Sequence, residues 1–406
     1  MLCFFHPHAI APRYARAGNT TMNRARSDLP AALTRVGIVG GGQLARMMAQ
    51  AAPPIGLSIT VLDPTPDCPA RAFAEQLVGE FDDPGQLAAL STGAAVVTLD
   101  IEAVTAACLE ALERSGTRVA PSARVLSIIQ DKLHQKEFLK AQGLPTSDFC
   151  AVAPQNHAAV VEFGMPCVLK ARRHGYDGRG VKIVRRLSDA EEMLHVPCLV
   201  EKLVDIEKEL AVMIARNWRG EIATYPVVEA RFDPRVNILD MIQAPASIPP
   251  DVAARCILLA RQAVEALAGV GIFGIEFFLA RGGDVLINEI SPRPHNSGHY
   301  TIEACATSQF EQHLRAVTDM PLGPTTLLRP AASFNLLGAP GAHGRPVIEG
   351  LALARARGAA VHLYGKHTVK PFRKMGHVTV TGDSVEEALA TAETLQHALK
   401  VTGVDA

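Results

Sequence analysis

Apolar residues along this chain fall mostly into short unbroken runs, and those runs alternate with stretches of helical period. Arg35-Val-Gly-Ile-Val, Leu57-Ser-Ile-Thr-Val-Leu-Asp63 and Val96-Val-Thr-Leu-Asp-Ile-Glu102 are three such runs. Short continuous apolar runs suit strands covered on both faces. Separated by helical segments up to about residue 125, they predict an α/β, doubly wound parallel sheet. Asp131 can cap a following helix that Gly143 ends. Pro249-Pro250-Asp251 opens another, with Val252, Cys256, Leu259, Ala263, Val264 and Leu267 on its apolar face and Gly269 as its stop. After about Pro330 the pattern shortens to small strands, Ala332–Leu337, Val361–Tyr364 and His377–Thr381, before an amphipathic helix from Asp383. That is an α+β, β-rich ending.

Two β-prone runs, Phe273–Leu279 and Asp284–Ile290, flank Gly282-Gly283, which reads as a two-residue hairpin turn. That turn sets Glu276 opposite Glu289, with Cβ atoms roughly 4.5–5.5 Å apart. Two carboxylates so close inside apolar strands repel each other and lose hydration. A shared hard cation such as Mg²⁺ relieves both costs. The alternative is a buried glutamate paired with Arg281 or Arg293. Arg293-Pro-His295-Asn296-Ser-Gly-His299 follows at once. Arg, His and Asn crowded beside two acids suit an anionic substrate, against the alternative of a solvated polar loop.

Further chemistry is scattered along the chain. Gly40-Gly-Gly-Gln43-Leu44-Ala45 joins a strand to a helix start, where backbone N–H groups can meet a phosphate. It resembles a dinucleotide fingerprint with Ala45 in the last glycine place and Asp63 as a ribose acid. A nicotinamide cofactor, another phosphate and a purely structural turn all stay open. Lys132 near a helix start can face an anion or solvent. Lys170 ends a strand, and Gly175-Tyr-Asp-Gly-Arg-Gly180 can fold over nucleotide phosphates, although no P-loop is present. Glu201-Lys202-Leu203-Val204 can offer backbone to an adenine edge. Glu209 shares a face with Glu201 if the strand is continuous. Lys366 to His377 carries Lys366, Lys370, Arg373 and Lys374 on a loop, for an anion or for solvent.

Length and composition narrow the class. A chain of 406 residues predicts two or three domains, and 48% hydrophobic against 20% charged residues describes a globular protein. A net charge of -1 argues against nucleic acid and anionic membrane as partners. No apolar run is long enough to span a membrane. Eight scattered cysteines without a CxxC pair argue for a reducing, cytoplasmic compartment. Residues 1–34, with four arginines before the first acid, are expected to be a disordered extension.

Taken together, GGGQLARM, QDK, VLK, GYDGRG, VEKLV, GIEFF, INEISPRPHNSGHYT, SQFEQHLRAV and RKMGH resemble the N5-carboxyaminoimidazole ribonucleotide synthetases, ATP-grasp enzymes of bacterial purine biosynthesis. The resemblance covers residues 36–400. It implies a pre-ATP-grasp domain at 35–130, an ATP-grasp domain at 131–328 and a small C-terminal domain at 329–406. It implies that ATP activates bicarbonate as carboxyphosphate, which then carboxylates aminoimidazole ribonucleotide. Lys132 and Lys170 would contact ATP phosphates, with Gly175, Tyr176, Asp177, Gly178, Arg179 and Gly180 as the closing loop. Glu201, Lys202, Leu203 and Val204 would hold adenine, Glu209 the ribose, and Glu276 and Glu289 the Mg²⁺ (or Mn²⁺) beside Asn288. Gln43, Leu44, Lys366, Arg373 and Lys374 would hold the ribonucleotide phosphate. Tyr176, Asp177, Arg293, His295 and Asn296 would surround the reacting groups, with Asp177 as proton acceptor. A homodimer and a separate mutase that takes the product are further implications.

The chain departs from the family's usual pattern at Lys132, Val181, Ala230, Phe232 and Phe372. Rival readings are a formate-dependent glycinamide ribonucleotide transformylase, a nicotinamide-dependent oxidoreductase and a non-catalytic nucleotide-binding homologue.

Overall fold

A computed structural model describes residues 33–173, 175, 180–190, 195–233 and 238–404. The expected extension, apart from its last two residues, lies outside them, as do Tyr176, Asp177, Gly178 and Arg179.

The first apolar runs build a four-stranded parallel sheet in the order Glu75–Val78, Leu57–Asp63, Thr34–Val39, Val96–Leu99. The two central strands are almost wholly buried, which is why their sequences show no alternation. The carboxyl edge of the sheet carries Asp63 and, just past Leu99 on the edge strand, Asp100 and Glu102. Open parallel sheets place their ligands at that edge.

A nine-stranded sheet follows, and eight of its strands form one path. From one edge it runs Val285–Ser291, Gly271–Ala280, Ile206–Arg216, Val228–Asp233 and Ile238–Ala244. It continues through Ala331–Leu337, Lys374–Thr381 and Ala360–Leu363. The strands after Pro330 thus extend the same sheet. Ala331–Leu337 pairs with Ile238–Ala244, with Phe334 opposite Met241.

One face of the first three strands buries Leu210, Val212, Ile214, Phe273, Ile275 and Phe277 against the helix Pro250–Leu267. Burying each such side chain contributes roughly 1.5–3 kcal/mol. The helix buries the predicted apolar stripe, but it ends on Ala268 in the left-handed region rather than on Gly269.

A third sheet, in the order Phe149–Val152, Cys198–Lys202, Cys167–Ala171, Val181–Val184, is antiparallel. Glu201 and Glu209 thus stand on strands of different sheets, because one strand ends at Lys202 and another begins at Ile206. Among the described residues no helix is long and apolar enough to cross a membrane.

Candidate active site

The site lies where the three sheets approach one another, and the hairpin is its floor. Glu276 does pair with Glu289, but not through a two-residue turn. Ala280 and Asp284 close a three-residue loop, with Gly283 at φ 88°. Leu279 then pairs with Val285 and Phe277 with Ile287. A bulge at Asn288 restores the offset, so Glu289 faces Glu276 after all. A bulge inserts an unpaired residue and re-aims side chains. Val285 and Ile287 point into the core, as does Ile290 beyond the bulge, while Asn288 and Glu289 both turn to the open face.

The lysines converge on that face from two directions. Lys132 donates to Glu289 Oε1 at 2.5 Å from the first turn of the helix Lys132–Ala141. Asp131 caps that helix through the Leu133 N–H and is gripped by Arg172 at 2.8 and 2.9 Å. The Lys132 N–H also donates to the Arg172 carbonyl, which ties this helix start to the strand bearing Lys170. Lys170 crosses between sheets, donating to Asn288 Oδ1 at 3.0 Å and pairing with Glu201 Oε1 at 3.0 Å. Gly180, the end of the predicted phosphate loop, accepts from the Ala171 N–H with its carbonyl, and Gly175 lies beside it.

Glu201 is 2% exposed. Its carboxylate takes Lys170, Lys136 at 3.2 Å and the Ser147 hydroxyl at 2.6 Å. Burial alone would raise it, but the two ammonium groups pull it down to about 2. Its side chain is thus spent on orienting lysine. Only the backbone and the half-buried Leu203 and Val204 beyond the strand end are left for a base edge. Lys202 is exposed. Lys136 was not legible as a site residue, and burial pushes it down to about 8.

Electrostatics separate the acids. Burial, then Glu289 and Glu209, push Glu276 up to about 7. Burial pushes Glu209 up to about 7 as well, with Lys170 opposing. Burial would also raise Glu289, but Lys132 outweighs it and holds that carboxyl below its usual range. A facing pair with one member driven toward protonation is short of positive charge.

The glycine turn closes the site from the parallel sheet. Asp63 accepts the Gly41 N–H at 2.8 Å, and Asp100 accepts the Gly42 and Ala45 N–H groups at 2.7 and 3.0 Å. A Cβ on Gly41 would stand 2.3 Å from Cys68 Sγ, and one on Gly42 2.6 Å from Asp100 Oδ2. These glycines therefore admit the chain's own side chains. Asp63 is engaged by the turn itself rather than held out for a ribose. Gln43 and Leu44 open the helix Gln43–Ala51, whose cap Gly42 offers no side chain. Their N–H groups are the helix-terminal donors available to an anion.

Arg293 pairs with Glu102 at 3.1 Å, which joins the loop after the hairpin to the end of the parallel sheet. In the sequence Glu102 is only the last residue of the run from Val96. Its place was hidden because its partner lies 191 residues away in the chain (293 − 102). His295 Nε2 stands 3.5 Å from Glu276 Oε1, and a side-chain nitrogen of Asn296 is buried with no protein partner. On the C-terminal side Lys366 donates to the Lys374 carbonyl at 2.7 Å, and Arg373 holds Thr368 at 2.8 Å. The segment leading to them packs on the first helix: Tyr364 joins the core of Leu44 and Met48, and Arg46 lies against Gly365.

Comparison with known proteins matches this layout. The ribonucleotide synthetase preATP-grasp domain matches residues 33–130, the ATP-grasp domain 137–310, and the phosphoribosylaminoimidazole carboxylase C-terminal domain 331–391. The N5-carboxyaminoimidazole ribonucleotide synthase of Synechococcus elongatus is 41% identical over 370 residues, 89% of this chain and 93% of that protein. The chain belongs to the N5-carboxyaminoimidazole ribonucleotide synthase family.

The family's crystal structures agree. The synthetase of Thermotoga maritima superposes with a TM-score of 0.85 at 47% identity, covering 91% of this chain and all of that one. The synthase of Aspergillus clavatus, in complex with ADP and 5-aminoimidazole ribonucleotide, gives 0.80 at 32% identity over 90% and 98% of the two chains.

Proposed function

We propose that this protein catalyses the ATP- and bicarbonate-dependent carboxylation of 5-aminoimidazole ribonucleotide to its N5-carboxy product in purine biosynthesis. As a member of its family it is an ATP-grasp carbon–nitrogen ligase. The observation that carries the site assignment is the opposition of Glu276 and Glu289, with Lys132 and Lys170 converging on the same face.

In this reading Lys132 and Lys170 hold nucleotide phosphates, and the loop Gly175–Gly180 closes over them. Glu209 meets the ribose. The backbone of Glu201–Val204 meets the adenine, as a strand end with half-buried residues allows. Hard oxygen donors suit Mg²⁺ or Mn²⁺, and Glu276, Glu289 and Asn288 would hold it; bound there, it supplies positive charge beside the phosphates. The lysines align the γ-phosphoryl group with a bicarbonate oxygen. The O–P bond to that oxygen forms as the bond to ADP breaks.

The N5 amine then attacks the carboxyl carbon, phosphate departs, and the amine gives up a proton. Asp177 is the proposed acceptor. Arg293, His295, Asn296 and Tyr176 surround the two reacting groups. Gln43 and Leu44 N–H groups with Lys366, Arg373 and Lys374 take the ribonucleotide phosphate. The nucleotide and ribonucleotide bound by the Aspergillus clavatus protein support both ligand assignments. Carboxyphosphate hydrolyses readily, so closure must exclude water. The three segments 35–130, 131–328 and 329–406 as domains, a homodimer and a separate mutase that consumes the product complete the reading.

Glu289→Gln tests it. Mg²⁺-dependent ADP release should fall by about 100-fold or more while circular dichroism and melting temperature stay near wild type. Unchanged turnover would refute the carboxylate pair as the cation site.

A further inference from the structure

The motif Ser308-Gln-Phe-Glu-Gln-His-Leu-Arg opens the helix Gln309–Val317 and has no role in the chemistry above. The first residue of that helix, Gln309, nevertheless reaches the site. Gln309 is fully buried, and its side-chain amide grips the backbone of His295 from both sides. The His295 N–H donates to Gln309 Oε1 at 2.9 Å, and Gln309 Nε2 donates back to the His295 carbonyl at 2.8 Å. The second proton on Nε2 goes to His299 Nδ1 at 3.0 Å. Both donors and the acceptor are thereby used, and turning the amide over would set Nε2 against the His295 N–H. The backbone of Gln309 is fixed too: its N–H donates to Thr301 Oγ1 at 2.8 Å, and Thr301 Oγ1 donates to the Gly298 carbonyl at 2.6 Å.

The grip continues into the C-terminal strands. The His299 ring lies 4.5 Å from that of His377, on the strand Lys374–Thr381 that follows the anion loop. His377 Nδ1 bonds the Tyr364 hydroxyl at 3.0 Å, and Lys366 sits over the Tyr364 ring. One buried amide therefore stands between the loop bearing His295 and the segment bearing Lys366 and Lys374.

We propose that Gln309 is a positioning residue for the carboxylation step: its amide sets the backbone at His295, so that the His295 ring is presented beside Glu276 in register with the C-terminal anion loop. The inference rests on the reading that His295 belongs to the carboxylation site. A shift of about 1 Å in such a group is enough to cost on the order of 100-fold in rate.

The test uses the full chain with two variants. Gln309→Glu keeps an acceptor for the His295 N–H but replaces both donors by an oxygen. Gln309→Met keeps the length and removes both. In the folded variants the ribonucleotide-stimulated kcat should fall about tenfold or more, with the KM for ATP within about twofold of wild type. Hydrogen–deuterium exchange should quicken in the peptide Arg293–His299 and not in the hairpin Gly271–Ser291. If Gln309→Met fails to fold, Gln309→Glu alone decides. An unchanged kcat, or a KM for ATP that rises as much as kcat falls, would overturn the proposal. Wild-type protein without any ribonucleotide stimulation would instead defeat the functional reading. The exchange data would then still report whether Gln309 holds the loop.

Discussion

Phe372 holds a backbone conformation that suits glycine. Its φ is 59°, and its side chain is exposed within the loop that carries Lys366 and Arg373. A left-handed residue with a Cβ costs roughly 1–2 kcal/mol. Its N–H donates to the Gly338 carbonyl, so the conformation is held from outside. Phe372→Gly should therefore stabilise the fold by about 1 kcal/mol in urea unfolding, less the entropy that glycine loses. A loss of stability would mean that the exposed ring makes contacts worth more than the strain. The sequence marked this position as a departure from the family's usual pattern, and the dihedral shows what the departure costs. Other single residues were less legible. Glu201 read only as the start of a segment offering backbone to adenine, and its side chain proves to anchor Lys136 and Lys170. Strand-end position is visible in sequence, whereas the partner of a buried carboxylate is not.

At the scale of elements, the hairpin shows how a sequence argument can reach the right pairing by the wrong path. Gly282-Gly283 suggested a two-residue turn, and the chain uses three residues and a compensating bulge. Apolar alternation could have revealed the bulge, since Val285, Ile287 and Ile290 are buried and the period breaks between the last two. The helix end at Ala268 was missed for a different reason. Gly269 is a glycine because a Cβ there would stand 2.3 Å from the Phe273 ring, not because the helix needs it as a cap. The C-terminal anion loop yields a prediction of its own. Arg373 is braced on Thr368, which leaves the other side of its guanidinium to a ligand. Arg373→Ala should raise the KM for the ribonucleotide by about tenfold or more and leave that for ATP within about twofold, read from initial rates. Equal increases would remove this loop from phosphate binding.

Across the whole molecule, buried histidines join what local pattern leaves apart. His313 accepts the Ile272 N–H at Nδ1, so its Nε2 carries the proton and donates to Thr98 Oγ1 at 2.7 Å. It ties the nine-stranded sheet to the parallel one. Neither that link nor the pairing of Ile238–Ala244 with Ala331–Leu337 leaves a local signature, because both join segments far apart in sequence. The parallel sheet and the core helix do leave one, in their periodicity. Burial pushes His313 down to about 3, so it is neutral in the fold and takes up a proton on unfolding below about pH 6.5. Wild type therefore loses about 1.4 kcal/mol per pH unit at this residue as pH falls, and glutamine, which does not titrate, loses nothing. The cost of His313→Gln should thus shrink by that amount per unit between about pH 6 and 4.5. Glu209 and Glu276, raised in the fold, act in the opposite sense, and the difference between variant and wild type cancels them. A cost independent of pH would show that His313 is charged in the native protein.

In the proposed reaction, three sheets converge to activate bicarbonate with ATP and deliver it to a ribonucleotide amine. The most direct measurement is ADP release by the purified full chain with MgATP in bicarbonate buffer, with and without aminoimidazole ribonucleotide. Strong stimulation by that ribonucleotide, and none by glycinamide ribonucleotide with formate, is the predicted result. Release that ignores aminoimidazole ribonucleotide would contradict the account.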